Sequence, residues 1–254
     1  MAGVAAGGTA APAKSPLLPL LFLGLLGAIQ AADPNISSSA LLTAGTALDM
    51  GTLSALAASI STFVLAATVI TTGMMADRLG RRKVLIAALL LSAIGDLLVA
   101  LSPDTTVYLL GRALAGIGLG AVFGASFAYV KTFATGKGGL PAALGVFMAA
   151  SGLFTLLITF TGSALVGVDW RLSFVVIPVL CALSVILALA LLPKDGPRPT
   201  GQGSWDVTGQ LLLGVGIITF LYGVSHATNG ITTPLTVIPV VIGVIVLALF
   251  ALWE

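Results

Sequence analysis

Three ionisable side chains stand inside long apolar runs of this chain: Asp33, Asp96 and Arg112. Each costs about 2.5–3.5 kcal/mol at the centre of a membrane helix, so each needs a partner, water or a function. Gln30 and Ser37, at i−3 and i+4 from Asp33, share its face if the segment is helical. A carboxyl enclosed there can take up and release a proton. The bland alternative is a carboxylate hydrated near the outer interface or bonded to Asn35, with the Asp33-Pro34 step favouring a local helix break. Arg112 keeps its proton at any accessible pH, so it acts as a fixed charge that biases a neighbouring carboxyl toward its ionised form. Asp96 lies about five residues from the end of one apolar run and Arg112 about six from the start of the next, so both sit roughly 8–9 Å deep on adjacent helices. Equal depth predicts an Asp96–Arg112 ion pair, which would weaken the field of Arg112 at Asp33. A static pair that only stabilises packing is the competing reading.

The elements that position these groups follow from composition. Apolar residues make up 58% of 254, charged residues 8%, and the mean hydropathy is +1.15. These values lie outside the range of water-soluble domains. Several runs exceed the 18 residues that cross a bilayer as a helix, and strand alternation is absent. The fold class expected is an all-α polytopic membrane protein. Spans are predicted at about 17–40, 51–74, 83–101, 106–130, 141–166, 170–192, 207–227 and 235–253. Residues 1–16 read as a disordered tail, 17–192 as six helices, 193–206 as a linker and 207–254 as two further helices. The net charge of +2 is too small to suggest nucleic acid. One histidine, one cysteine (Cys181) and no metal-ligand cluster leave nothing for hydrolytic or redox chemistry, so neither an enzyme nor a cofactor is expected.

Charge sets the orientation. With the N-terminus cytoplasmic, Lys14, Arg78, Arg81, Arg82, Lys83, Lys131, Lys137, Lys194 and Arg198 fall inside. Only Arg171 among the loop cations falls outside, beside Asp49, Asp104 and Asp169. Positive loops stay on the cytoplasmic side, so a multi-pass protein of the plasma (inner) membrane is expected. The densest of these loops is Gly73-Met74-Met75-Ala76-Asp77-Arg78-Leu79-Gly80-Arg81-Arg82-Lys83. Here Asp77 would cap or pair locally while Arg78, Arg81 and Arg82 face anionic headgroups.

That loop, through Gly73, Asp77, Arg78, Gly80, Arg81 and Arg82, resembles the helix 2–3 signature of the major facilitator superfamily of secondary transporters, G-x-x-x-D-R-x-G-R-R-[KR]. Span 4, Gly111-Arg112-Ala113-Leu114-Ala115-Gly116, is similar to that family's R-x-x-x-G signature. Gln30, Asp33, Pro34 and Asn35 resemble the acidic helix 1 segment of its fourteen-helix drug:proton antiporters, as do Asp169-Trp170-Arg171 and Trp205-Asp206. The resemblance implies a six-helix N-terminal bundle of the major facilitator fold plus two additional transmembrane helices. It gives Asp33 and Arg112 parts in proton coupling and makes the basic loop a latch against the other half of the fold. The helix 5 signature departs from the branch: Gly152 and Gly162 stand as remnants, but no proline lies between Pro141 and Pro178. Gly116, Gly120 and Gly124 form a small-residue stripe suited to close helix packing.

The function expected is proton-coupled efflux of amphipathic, drug-like compounds by an N-terminal portion of such a carrier. Asp33 would alternate between proton and substrate. The cavity walls would come from spans 1, 2, 4 and 5. Partners are the lipid bilayer, protons, a small substrate and a C-terminal half or second chain. A metabolite symporter or uniporter competes, because the helix 5 proline is missing. A non-transporting fragment is the third reading, motivated by the stop after Glu254.

Overall fold

A computed structural model describes residues 16–134, 138–196, 206–227 and 230–253. The expected tail over 1–15, most of the linker, and Lys14, Lys137, Arg198, Trp205 and Glu254 lie outside the described residues. The rest is helical: α1 (Leu17–Ala47), α2 (Ser54–Leu79), α3 (Arg81–Ala100), α4 (Thr105–Val130), α5 (Gly139–Leu165), α6 (Trp170–Ser173), α7 (Val176–Leu191), α8 (Val207–Ser225) and α9 (Pro234–Trp253). Among the described residues eight helical spans are long and apolar enough to cross a membrane, with α6 and α7 together making one. The chain is an all-α polytopic membrane protein.

Three boundaries differ from the sequence expectation, each for a local reason. First, α1 does not break at Pro34 but continues to Ala47. Pro34 lacks an N–H for the Gln30 carbonyl, yet the helix runs on, with flanking side chains bonding back to its other carbonyls. Asn35 Nδ2 donates to the Ala31 carbonyl, Ser38 Oγ to that of Pro34, and Ser39 Oγ to that of Asn35. Asp33 therefore sits near the middle of α1. Second, the eleven-residue basic loop is mostly helix. Only Gly80 separates α2 from α3, with φ 110°, a conformation that favours glycine. A Cβ there would also fall 2.5 Å from Cγ of Asp195. Third, span 6 is interrupted at Phe174-Val175. Pro178 has no N–H to bond the Phe174 carbonyl and occupies the first turn of α7, where proline is tolerated.

The core lies between α1, α3, α4 and α7, with Leu23, Leu26, Ile29, Leu85, Leu89, Leu119 and Ile177 all fully buried. Packing is close because glycines face backbone. A Cβ on Gly118 would lie 2.5 Å from the amide N of Ser92, and one on Gly111 would lie 2.7 Å from the carbonyl O of Gly95. The Gly116, Gly120 and Gly124 stripe faces α2, where added Cβ atoms would crowd Ser61, Thr68 and Val69. The outside is apolar: Leu153, Leu156 and Phe160 on α5 and Leu235, Ile245 and Leu249 on α9 are exposed, as expected of a surface solvated by lipid. The α8–α9 pair docks on α2, where the Thr71 hydroxyl donates to Gln210 Oε1 at 2.5 Å.

Candidate functional site

The three buried charges meet. α1 supplies Asp33, α3 supplies Asp96 and α4 supplies Arg112; Asp33 is 1% exposed and the other two 0%. The guanidinium of Arg112 grips Asp33 with both prongs, Nη1 to Oδ1 at 2.7 Å and Nη2 to Oδ2 at 2.9 Å. Parallel paired bonds of this kind are the strong form of the arginine–carboxylate contact. Nη1 also reaches Asp96 Oδ1, at 3.4 Å. The expected Asp96–Arg112 contact therefore exists, but the ranking is reversed. Asp33 is the main partner, and Asp96 shares one nitrogen of the same guanidinium. Equal depth placed Asp96 beside Arg112, but depth carries no information on which neighbouring helix presents its carboxylate face-on. The hydrated alternative for Asp33 does not hold, since it is buried and Asn35 turns to the Ala31 carbonyl.

Neighbours complete the enclosure. Ser61 of α2 donates to Asp33 Oδ2 at 3.3 Å. The Phe174 ring stands 5.6 Å from Arg112 Cζ, within cation–π reach. Tyr108 packs on Trp170 and Phe174 with ring centroids 6.2 and 5.9 Å away. This aromatic group closes the bundle on the side away from the basic turn. Arg171 braces it, donating to the carbonyls of Ala100 and Ser102 at 3.0 and 2.7 Å and stacking on Trp170. Gln30 is half-buried and stays outside the cluster's hydrogen bonds. Ser61, Tyr108 and Phe174 were not singled out by sequence. Ser61 has no signal of its own, while Tyr108, one turn before Arg112, could have been found from helical spacing.

A polar face runs along the outside of α1. Asn35, Ser38, Ser39 and Thr46 are solvent-accessible there, and Ser39 Oγ meets Ser163 Oγ of α5 at 2.8 Å. Exposed polar groups on a spanning helix are expensive in lipid and favour a water-lined or protein-covered surface.

At the opposite end the basic turn ties helix termini together. Asp195, just past α7, accepts from the amides of Arg82 and Lys83 at 2.9 and 3.1 Å, capping α3. Arg82 Nη2 donates to the Leu189 carbonyl of α7 at 2.6 Å, and Arg81 Nη1 to the Ala128 carbonyl of α4 at 3.2 Å. Arg81 also pairs with Asp77 at 2.9 Å. Arg81 and Arg82 were expected to face headgroups. They instead satisfy carbonyls at helix C-termini, where cations are stabilised by the helix dipole.

Comparison with known proteins places this geometry in a family. The Major Facilitator Superfamily model matches residues 21–253. The puromycin resistance protein pur8 of Streptomyces alboniger is 35% identical over 185 residues, covering 72% of this chain and 36% of that protein. A multidrug resistance protein B homolog of Mycobacterium tuberculosis is 33% identical over 193 residues, covering 73% and 34%. The chain thus spans about a third of the length of these relatives. The crystal structure of the human organic anion transporter MFSD10 (TETRAN) aligns with TM-score 0.56 at 20% identity, over 85% of this chain and 57% of that one. Eight apolar spans, a glycine-hinged basic turn and a matching family model agree: the chain belongs to the Major Facilitator Superfamily, a family of transporters and not of enzymes.

Proposed function

We propose that the chain is part of a proton-coupled efflux carrier for amphipathic compounds, of the fourteen-helix branch, in a plasma membrane with its N-terminus cytoplasmic. The observation that carries the reading is the sealed, paired grip of Arg112 on Asp33. A carboxylate held this way is unavailable to substrate until the arginine lets go, and protonation is the simplest event that releases it. Asp33 then alternates between proton and substrate, with Arg112 as the fixed charge that governs which it holds. Drug-resistance relatives support efflux as the direction. The orientation rests on the cytoplasmic bias of Arg78, Arg81, Arg82 and Lys83. The polar face of α1 serves as cavity wall. Its hydroxyls and amide are largely occupied by backbone carbonyls, leaving a weakly polar surface that suits a poorly selective site.

Alternating access requires a second repeat rocking against this bundle around a midplane site. A C-terminal half or a partner chain supplies it in this reading. The test uses inside-out vesicles from the source membrane. With a proton gradient imposed, puromycin should drive protons out of the lumen, and Asp33→Asn should abolish that flux. Proton and substrate moving in the same direction would identify a symporter instead, the alternative left open by α5, which has no proline after Pro141. No substrate-linked proton movement would end the coupled reading.

A further inference from the structure

The charge count of the buried cluster is unbalanced. Arg112 brings one positive charge, and Asp33 and Asp96 bring two carboxyls, all at most 1% exposed. An ionised carboxylate in such a place needs a partner of its own. Asp33 has both oxygens bonded, to Nη1, Nη2 and Ser61. Asp96 shares Nη1 at 3.4 Å through one oxygen, and no hydrogen-bond donor reaches its Oδ2. Two carboxyls meeting one guanidinium nitrogen cannot both remain charged at low cost, the situation of paired carboxyls that share one proton.

We propose that Asp96 holds the coupling proton in this conformation, with Asp33 as the charged partner of Arg112. This rests on the proton-coupled reading for the proton's purpose, though not for its location. The groups facing Asp96 are consistent with it. α1 presents Asp33, α4 presents Arg112 and Tyr108, and α7 presents the Cys181 thiol. The Arg171 side chain is committed to the Ala100 and Ser102 carbonyls. Release is then an exchange. The proton passes from Asp96 to Asp33 as the guanidinium moves from Asp33 to Asp96, so one bond to hydrogen breaks, one forms, and the net charge of the core is unchanged. Each member of the cluster also has a buried hydroxyl one helical turn away: Ser37 for Asp33, Ser92 for Asp96 and Tyr108 for Arg112. Hydroxyls both donate and accept, so they can pass a proton toward or away from the carboxyls.

The test is infrared difference spectroscopy of the purified chain in nanodiscs at neutral pH, reading the C=O stretch of a protonated carboxyl. The wild type should show one such band. Asp96→Glu should shift its frequency and Asp96→Asn should remove it, while Asp33→Glu should leave it in place. A band that moves with Asp33→Glu and ignores Asp96→Glu overturns the proposal, as does a wild type without the band. The spectrum does not depend on transport. A normal Asp96 band in a protein without proton flux would therefore sink the transport reading alone.

Discussion

Gly111 lies beside Arg112 on the face of α4 that meets α3, and Gly111→Ala tests whether backbone contact there sets the charge geometry. The new Cβ would stand 2.7 Å from the Gly95 carbonyl O, 2.8 Å from Val99 Cγ2 and 2.9 Å from the Val99 amide N. Two of these are main-chain atoms and cannot rotate away. Ordinary contact begins near 3.4 Å, so the seam must open by the difference of about 0.7 Å. Overpacking of this kind costs about 1–3 kcal/mol. For a chain of this size, at about 2–4 °C per kcal/mol, that corresponds to a drop on the order of 2–12 °C in melting temperature. The same displacement stretches the 3.4 Å contact between Arg112 and Asp96 to about 4 Å, at the limit of an ion pair, while the grip on Asp33, which lies on a different helix, is kept. The assay is thermal unfolding in nanodiscs followed by tryptophan fluorescence, with Gly152→Ala as control. Gly152 has open space within 4 Å of its added Cβ, so that change should be neutral or slightly stabilising. Equal melting temperatures for the two variants would refute the argument that backbone contact at Gly111 sets the spacing of α3 and α4.

Arg112→Leu strands two buried carboxyls and should cost about 3–5 kcal/mol, whereas Asp33→Leu/Arg112→Leu should recover much of the loss; the same unfolding assay reads both, and no recovery would argue against a paired cluster. Asp195→Ala removes the acceptor for the Arg82 and Lys83 amides, a loss of about 1 kcal/mol typical of a helix cap. Hydrogen exchange should quicken at those two amides first, and unchanged protection there would exclude the capping role.

The fold was legible because hydropathy and loop charge are one-dimensional signals. Runs above 18 residues and the Arg78 to Lys83 cluster placed six of the eight spans within about two residues, while α1 and α2 run on past their expected ends. What sequence missed was lateral. Asp96 and Arg112 were matched by depth, but α1 also approaches α4, and the face-on carboxylate belongs to Asp33. The stripe of Gly116, Gly120 and Gly124 was readable from its four-residue spacing. The tighter seam with α3 sets Gly95 against Gly111 and Ser92 against Gly118 across two helices, and no spacing within one helix reveals it. Asp195 looked like part of a polar linker because its role depends on α7 ending beside the start of α3. The interruption at Phe174-Val175 was hidden by an unbroken apolar run, although Pro178 carried the signal.

Pro34 follows Asp33 directly in a helix of 31 residues. Because the Gln30 carbonyl receives no N–H from Pro34, α1 already lacks one rung of its ladder at the level of the buried carboxylate. Bending there breaks no further main-chain bond, so α1 has its softest point one residue from the group that Arg112 holds. A tilt of the C-terminal arm, where the polar face meets α5 through Ser39, would displace Asp33 slightly. Sub-ångström shifts are enough to make or break a bond of 2.7 Å. Any tilt within α1 would therefore pivot at its own missing hydrogen bond.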